Sequence, residues 1–235
     1  MKKIGIIGAM AGEVAHFKEL MEAVQVRGKA GMDFFMGRLV GQDVVVVQSG
    51  IGKVNAAVCT QILIDDFQVD TVINSGIAGS LCNRIHIGDV VIATDTVQHD
   101  VDASGSGDKE DVPGQIPGLD TFSFPADVYL RELATKACQE VNAEIQVFQG
   151  RIVSGDQFIA DAKHKAWMID EFAALCTEME GAAVGQVAYL NRIPYVVIRV
   201  ISDQADGSAH VDFPTFAKQA MEHSVKLVVR LMERL

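Results

Sequence analysis

The chain contains few prolines, few aromatic residues and no apolar run long enough to cross a membrane. Only 5 of its 235 residues are proline and 6% are aromatic, and no linker-like stretch divides it. This composition is typical of one large α/β domain, which we predict over residues 1–235. The apolar run of residues 3–9 is barely long enough for a leader peptide and is interrupted by Gly5 and Gly8, so it favours a buried first strand that leads into a helix.

Cysteine pairs and metal-binding spacings are also missing. Cys59, Cys82, Cys138 and Cys176 are scattered without a C-x-x-C motif, and the six histidines show no ligand spacing. Reduced, mostly buried thiols in a cytoplasmic protein are the expected state, with no metal site.

Basic residues are fewer than acidic ones, with 20 Lys and Arg against 31 Asp and Glu, which gives a formal net charge of −11. A chain of this charge is poorly suited to nucleic acid or to an anionic membrane surface, so we expect neither partner. The net charge does not restrict small-molecule substrates.

Strand-like and helix-like segments alternate along the chain, which predicts a three-layer α/β/α sandwich with a central mixed sheet. A first helix is predicted through Val24, a helix start at Pro125, and a long loop over 98–124. The last helix is predicted from about Thr215. The predicted strands cover residues 3–9, 32–40, 44–47, 71–74, 89–94, 144–155 and 195–201, and the small-residue segment 75–80 is predicted as a loop.

Acidic residues stand where three apolar, strand-like runs end. Glu178 and Glu180 flank Met179 in T-E-M-E-G-A-A, Asp203 follows Ser202 after V-I-R-V-I, and Glu13 follows the first strand. Each acid alone could be a helix-terminal or turn residue. Because ligands of α/β folds bind at strand ends, their joint placement favours chemistry on a sugar that becomes positively charged.

Eight segments in order resemble one family, the 5′-methylthioadenosine/S-adenosylhomocysteine nucleosidases of the nucleoside phosphorylase-like superfamily. They are I-G-I-I-G-A-M with Glu13, S-G-I-G-K-V, I-N-S-G-I-A-G, I-G-D-V-V, G-Q-I-P-G, V-S-G-D-Q-F-I, E-M-E-G-A-A and I-S-D. The resemblance runs from residue 3 into the C-terminal helix. It implies hydrolysis of the adenine N-glycosidic bond in methionine salvage, without metal or organic cofactor, by a homodimer.

The resemblance also implies residue roles. Asp203 would protonate adenine N7, Glu13 would be the general base on water, and Glu180 would hold the ribose hydroxyls, a division of labour similar to that of inverting glycosidases. Ser202 would hydrogen-bond Asp203. The remaining substrate contacts would come from Met10, Ile51, Ile77, Phe158, Ile159, Glu178, Met179, Arg199 and Phe213.

Phe158 would stack on the purine while the backbone of Ile159 reads the base edge. Two roles are equally consistent with the position of Arg199 on a strand. It could organise Glu13, Glu180 and the water, or it could form an ion pair in the core.

The chain departs from the family pattern at two places. Where many members have apolar and aromatic side chains around the 5′-thio group, the 98–124 loop has Ser104, Gly105, Ser106 and Asp108. Ile77 stands where some members have a serine that contacts the water. The first departure leaves the 5′ preference open among methylthioadenosine, adenosylhomocysteine, 5′-deoxyadenosine and aminofutalosine-type nucleosides.

Three alternatives compete with hydrolysis. A phosphorylase on the same fold would need a cationic phosphate site, but the glycine loops offer only Lys53 and no arginine. A dinucleotide-dependent oxidoreductase lacks its G-x-G-x-x-G fingerprint here. A non-catalytic adenosine-binding protein would be expected to have lost at least one of the three acids.

Overall fold

The structure is a computed structural model that describes residues 3–107, 112–141 and 144–235. Within these residues, the strands are β1 Lys3–Gly8, β2 Glu22–Lys29, β3 Met32–Leu39, β4 Gln42–Gln48, β5 Thr71–Ser80, β6 Val90–Gln98, β7 Phe124–Pro125, β8 Val147–Ser154, β9 Cys176–Glu178 and β10 Tyr195–Asp203. The α-helices are α1 Ala11–Leu20, α2 Lys53–Asp65, α3 Val128–Val141, α4 Ala162–Phe172, α5 Gly181–Asn191 and α6 Ala209–Met232, and a short 3₁₀ helix covers Ser104–Ser106.

The strands form one mixed sheet in the order β10-β6-β8-β9-β5-β1-β4-β3-β2, with β7 paired to β6. Strand β10 also pairs in parallel with β5, so the β5, β10, β6, β8 and β9 strands form a closed ring at one end of the sheet. The prediction of a central mixed sheet is confirmed. The ring was not foreseen, because register and closure depend on contacts between distant segments.

Helices cover both faces of this sheet. Helices α1, α3 and α6 bury apolar side chains against one face, with Phe17, Leu130 and Leu231 in that core. Helices α2 and α5 do the same on the other face through residues such as Leu63 and Val184. This arrangement confirms the predicted three-layer architecture. No helix among the described residues is long and apolar enough to cross a membrane.

The N-terminal part differs from the prediction. The first helix ends at Leu20 rather than continuing through Val24, and Ala23 adopts a positive φ of 53° at the start of β2. Strand β2 was missed because it is an exposed edge strand with no buried, alternating face to reveal it.

Three further boundaries correct the sequence-based expectation. The predicted loop 75–80 is the second half of β5, and all ten residues of that strand are buried. Pro125 lies in β7 rather than at a helix start; α3 begins at Val128, after Asp127 accepts a hydrogen bond from the Leu130 amide at 2.9 Å. Helix α6 begins at Ala209, before Pro214, rather than near Thr215.

The cysteine prediction agrees with the structure. All four thiols are free, and Cys59, Cys138 and Cys176 are buried. Burial raises the pKa of the Cys138 thiol to about 11, and it also raises the pKa of the Cys59 and Cys176 thiols. These thiols are therefore protonated core residues with no sign of reactivity.

Candidate active site

One pocket collects the predicted site residues at the carboxyl ends of β1, β5, β9 and β10. Every residue predicted for the site lines it except Arg199, which lies behind the wall. The lining residues from the prediction are Met10, Glu13, Ile51, Ile77, Phe158, Ile159, Glu178, Met179, Glu180, Ser202, Asp203 and Phe213. Strands β1, β5 and β10 are parallel and end at the same edge, and the short strand β9, which runs antiparallel to β5, pairs with the last residues of β5. Segments far apart in sequence thus meet at this edge.

Glu13 is fixed by backbone amides. It lies in the first turn of α1, and its carboxylate accepts hydrogen bonds from the amides of Ala9 at 2.7 Å, Met10 at 2.9 Å and Ile77 at 3.2 Å. Burial raises the pKa of Glu13, and the positive charge of Arg199 and these amides offset only part of that rise. The result is an oriented carboxyl group that is more basic than an ordinary glutamate.

Glu180 is the residue that precedes α5, and its carboxylate reaches across to a different loop. Its Oε1 accepts a hydrogen bond from the Gly52 amide at 2.8 Å, and its Oε2 is 3.9 Å from the Arg199 guanidinium. Burial, followed by the negative charge of Glu178, raises the pKa of Glu180 to about 8. Glu180 can therefore take up or release a proton near neutral pH.

Arg199 is a buried ion-pair residue that organises the acids from behind. Its guanidinium forms a very short contact with Glu178 and donates to the Asn74 side-chain oxygen at 2.6 Å. Burial lowers the pKa of Arg199, but the charges of Glu178, Glu180 and Glu13 outweigh that effect and raise it overall. Arg199 is thus a core ion-pair residue that also lies near Glu180, and its role in organising Glu13 and the water stays a prediction.

Glu178 serves as the anchor of this network. Its carboxylate accepts hydrogen bonds from the amides of Glu180 at 3.1 Å and Gly181 at 2.8 Å, and from the hydroxyl of Ser154. The Glu178 carboxylate therefore accepts hydrogen bonds from free amides at the start of α5 and also balances the charge of Arg199. These contacts hold the position of Glu180.

Asp203 stands at the end of β10 without a cationic partner among the described residues. Its carboxyl group accepts from the Ser202 hydroxyl at 2.9 Å and from the Ala205 amide at 2.8 Å, and it is 3% exposed. Burial raises the pKa of Asp203, while these two hydrogen bonds lower it less. A buried carboxyl group of this kind is suited to holding a proton for transfer.

Small residues in β5 make room for two of the acids. A Cβ atom at Gly76 would lie 2.6 Å from Glu13 Oε1, and one at Gly79 would lie 2.7 Å from Asp203 Oδ1. Ala78 and Gly79 line the pocket but were not predicted, since their segment was interpreted as a loop. The repeated small residues of S-G-I-A-G-S were the available signal.

Apolar side chains close the rest of the pocket. The ring of Phe158 meets that of Phe213 edge-to-face at 5.7 Å between centroids, and Phe158 is still 53% exposed. An exposed aromatic face beside a pocket can stack on a planar base. Ile51 is also 53% exposed, whereas Ile159 and Ile77 are buried. Sequence reasoning missed Ala9, Gln157 and Thr177, which are adjacent to predicted residues and have no distinctive chemistry.

The described residues of the atypical loop do not line this pocket. Ser104 and Ser106 belong to the exposed 3₁₀ helix, which the side chain of Asp102 caps through the Ser104 amide at 2.9 Å. Neither serine lines the pocket. Asp108 lies outside the described residues. In the part of the chain that the structure describes, no cluster of three or more His, Cys, Asp or Glu residues could hold a metal ion.

Known proteins match this chain over its whole length. The phosphorylase superfamily model matches residues 3–233. The 5′-methylthioadenosine/S-adenosylhomocysteine nucleosidase of Shewanella sediminis is 41% identical over 234 residues, which cover 99% of this chain and 100% of the relative.

Solved structures agree. The nucleosidase of the same name from Neisseria meningitidis, in complex with methylthio-immucillin-A, has a TM-score of 0.94 and 38% identity, and covers 100% of both chains. The enzyme from Colwellia psychrerythraea in complex with adenine also has a TM-score of 0.94 and 38% identity, over 100% of this chain and 96% of the other. With this fold, this pocket and these matches, the chain belongs to the phosphorylase superfamily and, within it, to the 5′-methylthioadenosine/S-adenosylhomocysteine nucleosidases.

Proposed function

We propose that residues 1–235 form a single nucleosidase domain that hydrolyses the N-glycosidic bond of 5′-methylthioadenosine and S-adenosylhomocysteine. The products are adenine and the 5′-substituted thioribose, as methionine salvage requires. 5′-Deoxyadenosine is a further substrate of the same chemical class. Family membership supports the reaction type, and the arrangement of carboxyl groups in the pocket supports the assignment of roles.

The observation that supports the mechanism best is the separation of Glu13 and Asp203 along β5. Their carboxyl groups lie beside Gly76 and Gly79, two points that three residues of strand place roughly 10 Å apart. Inverting glycosidases keep their two carboxyl groups about 6.5–9.5 Å apart so that sugar and water fit between them. By analogy, we place the ribosyl group and the attacking water between Glu13 and Asp203.

At the base end, Asp203 donates a proton to N7 of the departing adenine. Burial raises the pKa of Asp203, which favours the protonated form, and the Ser202 hydroxyl orients the carboxyl group. Phe158 stacks on the purine ring, and the Ile159 backbone contacts the base edge. Protonation turns adenine into a neutral leaving group.

At the sugar end, Glu13 accepts a proton from water and Glu180 binds the ribose hydroxyls. As positive charge develops on the ribosyl group, it lowers the pKa of the nearby Glu180 and favours its anionic form. Met10, Met179 and Phe213 surround the sugar and its 5′ substituent. Glu178 and Arg199 act through the position of Glu180, although Glu178 also lines the pocket.

Charge also favours water over phosphate as the nucleophile. The pocket lining contains four carboxyl groups and, among the described residues, neither lysine nor arginine. Lys53 is already engaged by Gln98 at 2.9 Å and Asp100 at 2.5 Å, and Arg199 lies behind Glu178. A phosphate ion would therefore meet uncompensated negative charge.

We further propose that the chain forms a homodimer in the cytoplasm. An apolar surface runs from Ile51 at the pocket mouth to Val54 and Val58 on one face of α2. These three side chains are 53%, 73% and 40% exposed, respectively. A partner covering this apolar face would bring its own 98–124 loop towards the 5′ end of the pocket. Sedimentation analysis tests the dimer, and a monomer at micromolar concentration would contradict it.

The reaction itself is tested by incubating the protein with methylthioadenosine in buffer without phosphate and identifying the products by mass spectrometry. Free adenine and methylthioribose are expected, with no increase in rate when phosphate is added. A sugar 1-phosphate among the products would make the protein a phosphorylase. Binding without any turnover would make it a non-catalytic adenosine-binding protein.

A further inference from the structure

The loop that supports Glu180 is itself held by carboxylates from other segments. Helix α2 begins after Gly52, which has a φ of 97° and no side chain to cap the helix. Its first amides instead donate outward: Gly52 to Glu180 Oε1 and Lys53 to Asp156 Oδ1, both at 2.8 Å. The position of the Gly52 amide on Glu180 therefore depends on what holds Lys53 and Asp156.

Asp100 binds both of them. Its Oδ1 accepts a hydrogen bond from the Lys53 ammonium at 2.5 Å, and its Oδ2 accepts one from the Asp156 amide at 2.9 Å. The Lys53 and Asp100 side chains are only 16% and 17% exposed, so this pair is less screened than a surface salt bridge. Burial raises the pKa of Asp100, but the hydrogen bonds from Lys53 and Asp156 lower it overall, which keeps the carboxylate charged.

The two segments joined in this way both contribute residues to the pocket lining. Ile51 directly precedes Gly52, and Gln157, Phe158 and Ile159 directly follow Asp156. Asp100 itself does not line the pocket. It therefore contacts neither the base nor the sugar and can act only through the segments that it joins.

We propose that Asp100 is a positioning residue that, through Lys53 and Asp156, sets the Gly52 amide on Glu180 and Phe158 against the base. The expected effect on kcat/KM rests on the proposed function. Because Asp100 joins residues 50–53 to residues 154–159, its loss should also weaken the binding of adenine, whether or not the protein is a nucleosidase.

The test uses the variants Asp100→Asn and Lys53→Met and their double variant, with Asp95→Asn as the matched control. Asp95 is also a partly buried ion-pair residue of the β6 region, bonded to Arg151 at 2.6 Å, but it does not line the pocket. Comparing melting temperatures identifies any general loss of stability. The kinetic readout is kcat/KM for methylthioadenosine.

Asp100→Asn should lower kcat/KM by about 10- to 100-fold, the range expected when reacting groups are displaced by up to 1 Å. Asp95→Asn should remain near the wild-type value even if its melting temperature falls as much. The kcat/KM of the double variant should be no lower than that of the less active single variant, because both changes break the same ion pair. Values of kcat/KM within twofold of wild type for Asp100→Asn, or additive effects in the double variant, would overturn the proposal.

Adenine binding, measured by calorimetry, separates this inference from the proposed function. If the wild type releases no adenine from methylthioadenosine, the proposed function fails, and a tenfold weaker adenine affinity in Asp100→Asn still supports the positioning role. An unchanged affinity would reject it. If Asp100→Asn does not fold, Lys53→Met, which keeps the aliphatic stem, decides by the same two readouts.

Discussion

Carboxyl groups at the two ends of the pocket have different surroundings. At the sugar end, Glu13, Glu178 and Glu180 share the buried cation Arg199, and backbone amides bind each of them. At the base end, the hydrogen-bond partners of Asp203 among the described residues are the Ser202 hydroxyl and the Ala205 amide. The same functional group can therefore serve as base and charge partner at one end and as proton donor at the other, because the protein controls which charges lie nearby.

The largest expected effect comes from removing Asp203, the proposed proton donor at the base end. Asp203→Asn keeps the size of the side chain but cannot supply the proton, so kcat for methylthioadenosine should fall by about 10²- to 10⁴-fold. Adenine-containing inhibitors should still bind, since the apolar walls are intact. Stopped-flow adenine release and calorimetry measure the two effects. Turnover close to wild type would remove Asp203 from the mechanism.

A matched pair of glycine substitutions compares the two ends sterically. Gly76→Ala places a Cβ 2.6 Å from Glu13 Oε1, and Gly79→Ala places one 2.7 Å from Asp203 Oδ1. Each should lower kcat by about 10- to 100-fold, because a displacement near 1 Å disrupts the reacting geometry. Gly207→Ala, with no heavy atom within 4 Å of its new Cβ, is the control. If all three variants have equal activity, the close approach of β5 to the acids is unimportant.

The pH dependence of stability gives a sharper view of the sugar end. The pKa of Glu180 is raised from 4.5 to about 8 by burial and by Glu178, so folding favours its protonated form. The associated stability is complete below pH 4.5 and is lost as the pH rises through 8. Glu180→Gln, which stays neutral, should therefore raise the melting temperature relative to wild type by more at pH 8.5 than at pH 5.

The control for this effect is Glu22→Gln, a change at an exposed position of the edge strand β2. Its difference in melting temperature from wild type should be the same at both pH values. Equal differences for Glu180→Gln at the two pH values would mean that Glu180 is an ordinary ionised glutamate.

The smallest expected effect concerns the atypical loop. Ser106→Phe should raise kcat/KM for methylthioadenosine relative to kcat/KM for adenosylhomocysteine. The change in relative transition-state free energy should be about 1–3 kcal/mol at most, which is the usual contribution of one apolar contact. Since Ser106 does not line the pocket of its own protomer, the shift requires the proposed dimer. An unchanged ratio would mean that this loop does not shape the 5′ pocket.

Sequence reasoning located the acids because each follows a recognisable strand. Glu13, Glu180 and Asp203 could be placed at strand ends from local patterns, and parallel packing brings the ends of β1, β5 and β10 together. The antiparallel pairing that brings β9 beside them could not be predicted locally. It failed for β2, whose exposed residues lack a buried face, and for residues 75–80, where small residues indicate close packing as readily as a loop. Which acid Arg199 binds most closely depends on side-chain geometry between distant strands, which no local pattern specifies.

The division of roles between the two ends is tested most directly with a substrate whose leaving group needs no proton, such as the p-nitrophenyl glycoside of 5-methylthioribose. If Asp203 acts only on the leaving group, Asp203→Asn should hydrolyse this substrate at nearly the wild-type rate, while remaining about 10²- to 10⁴-fold impaired on methylthioadenosine. Glu13→Gln should be impaired on both substrates, because both need an activated water. Equal impairment of Asp203→Asn on the two substrates would contradict the account.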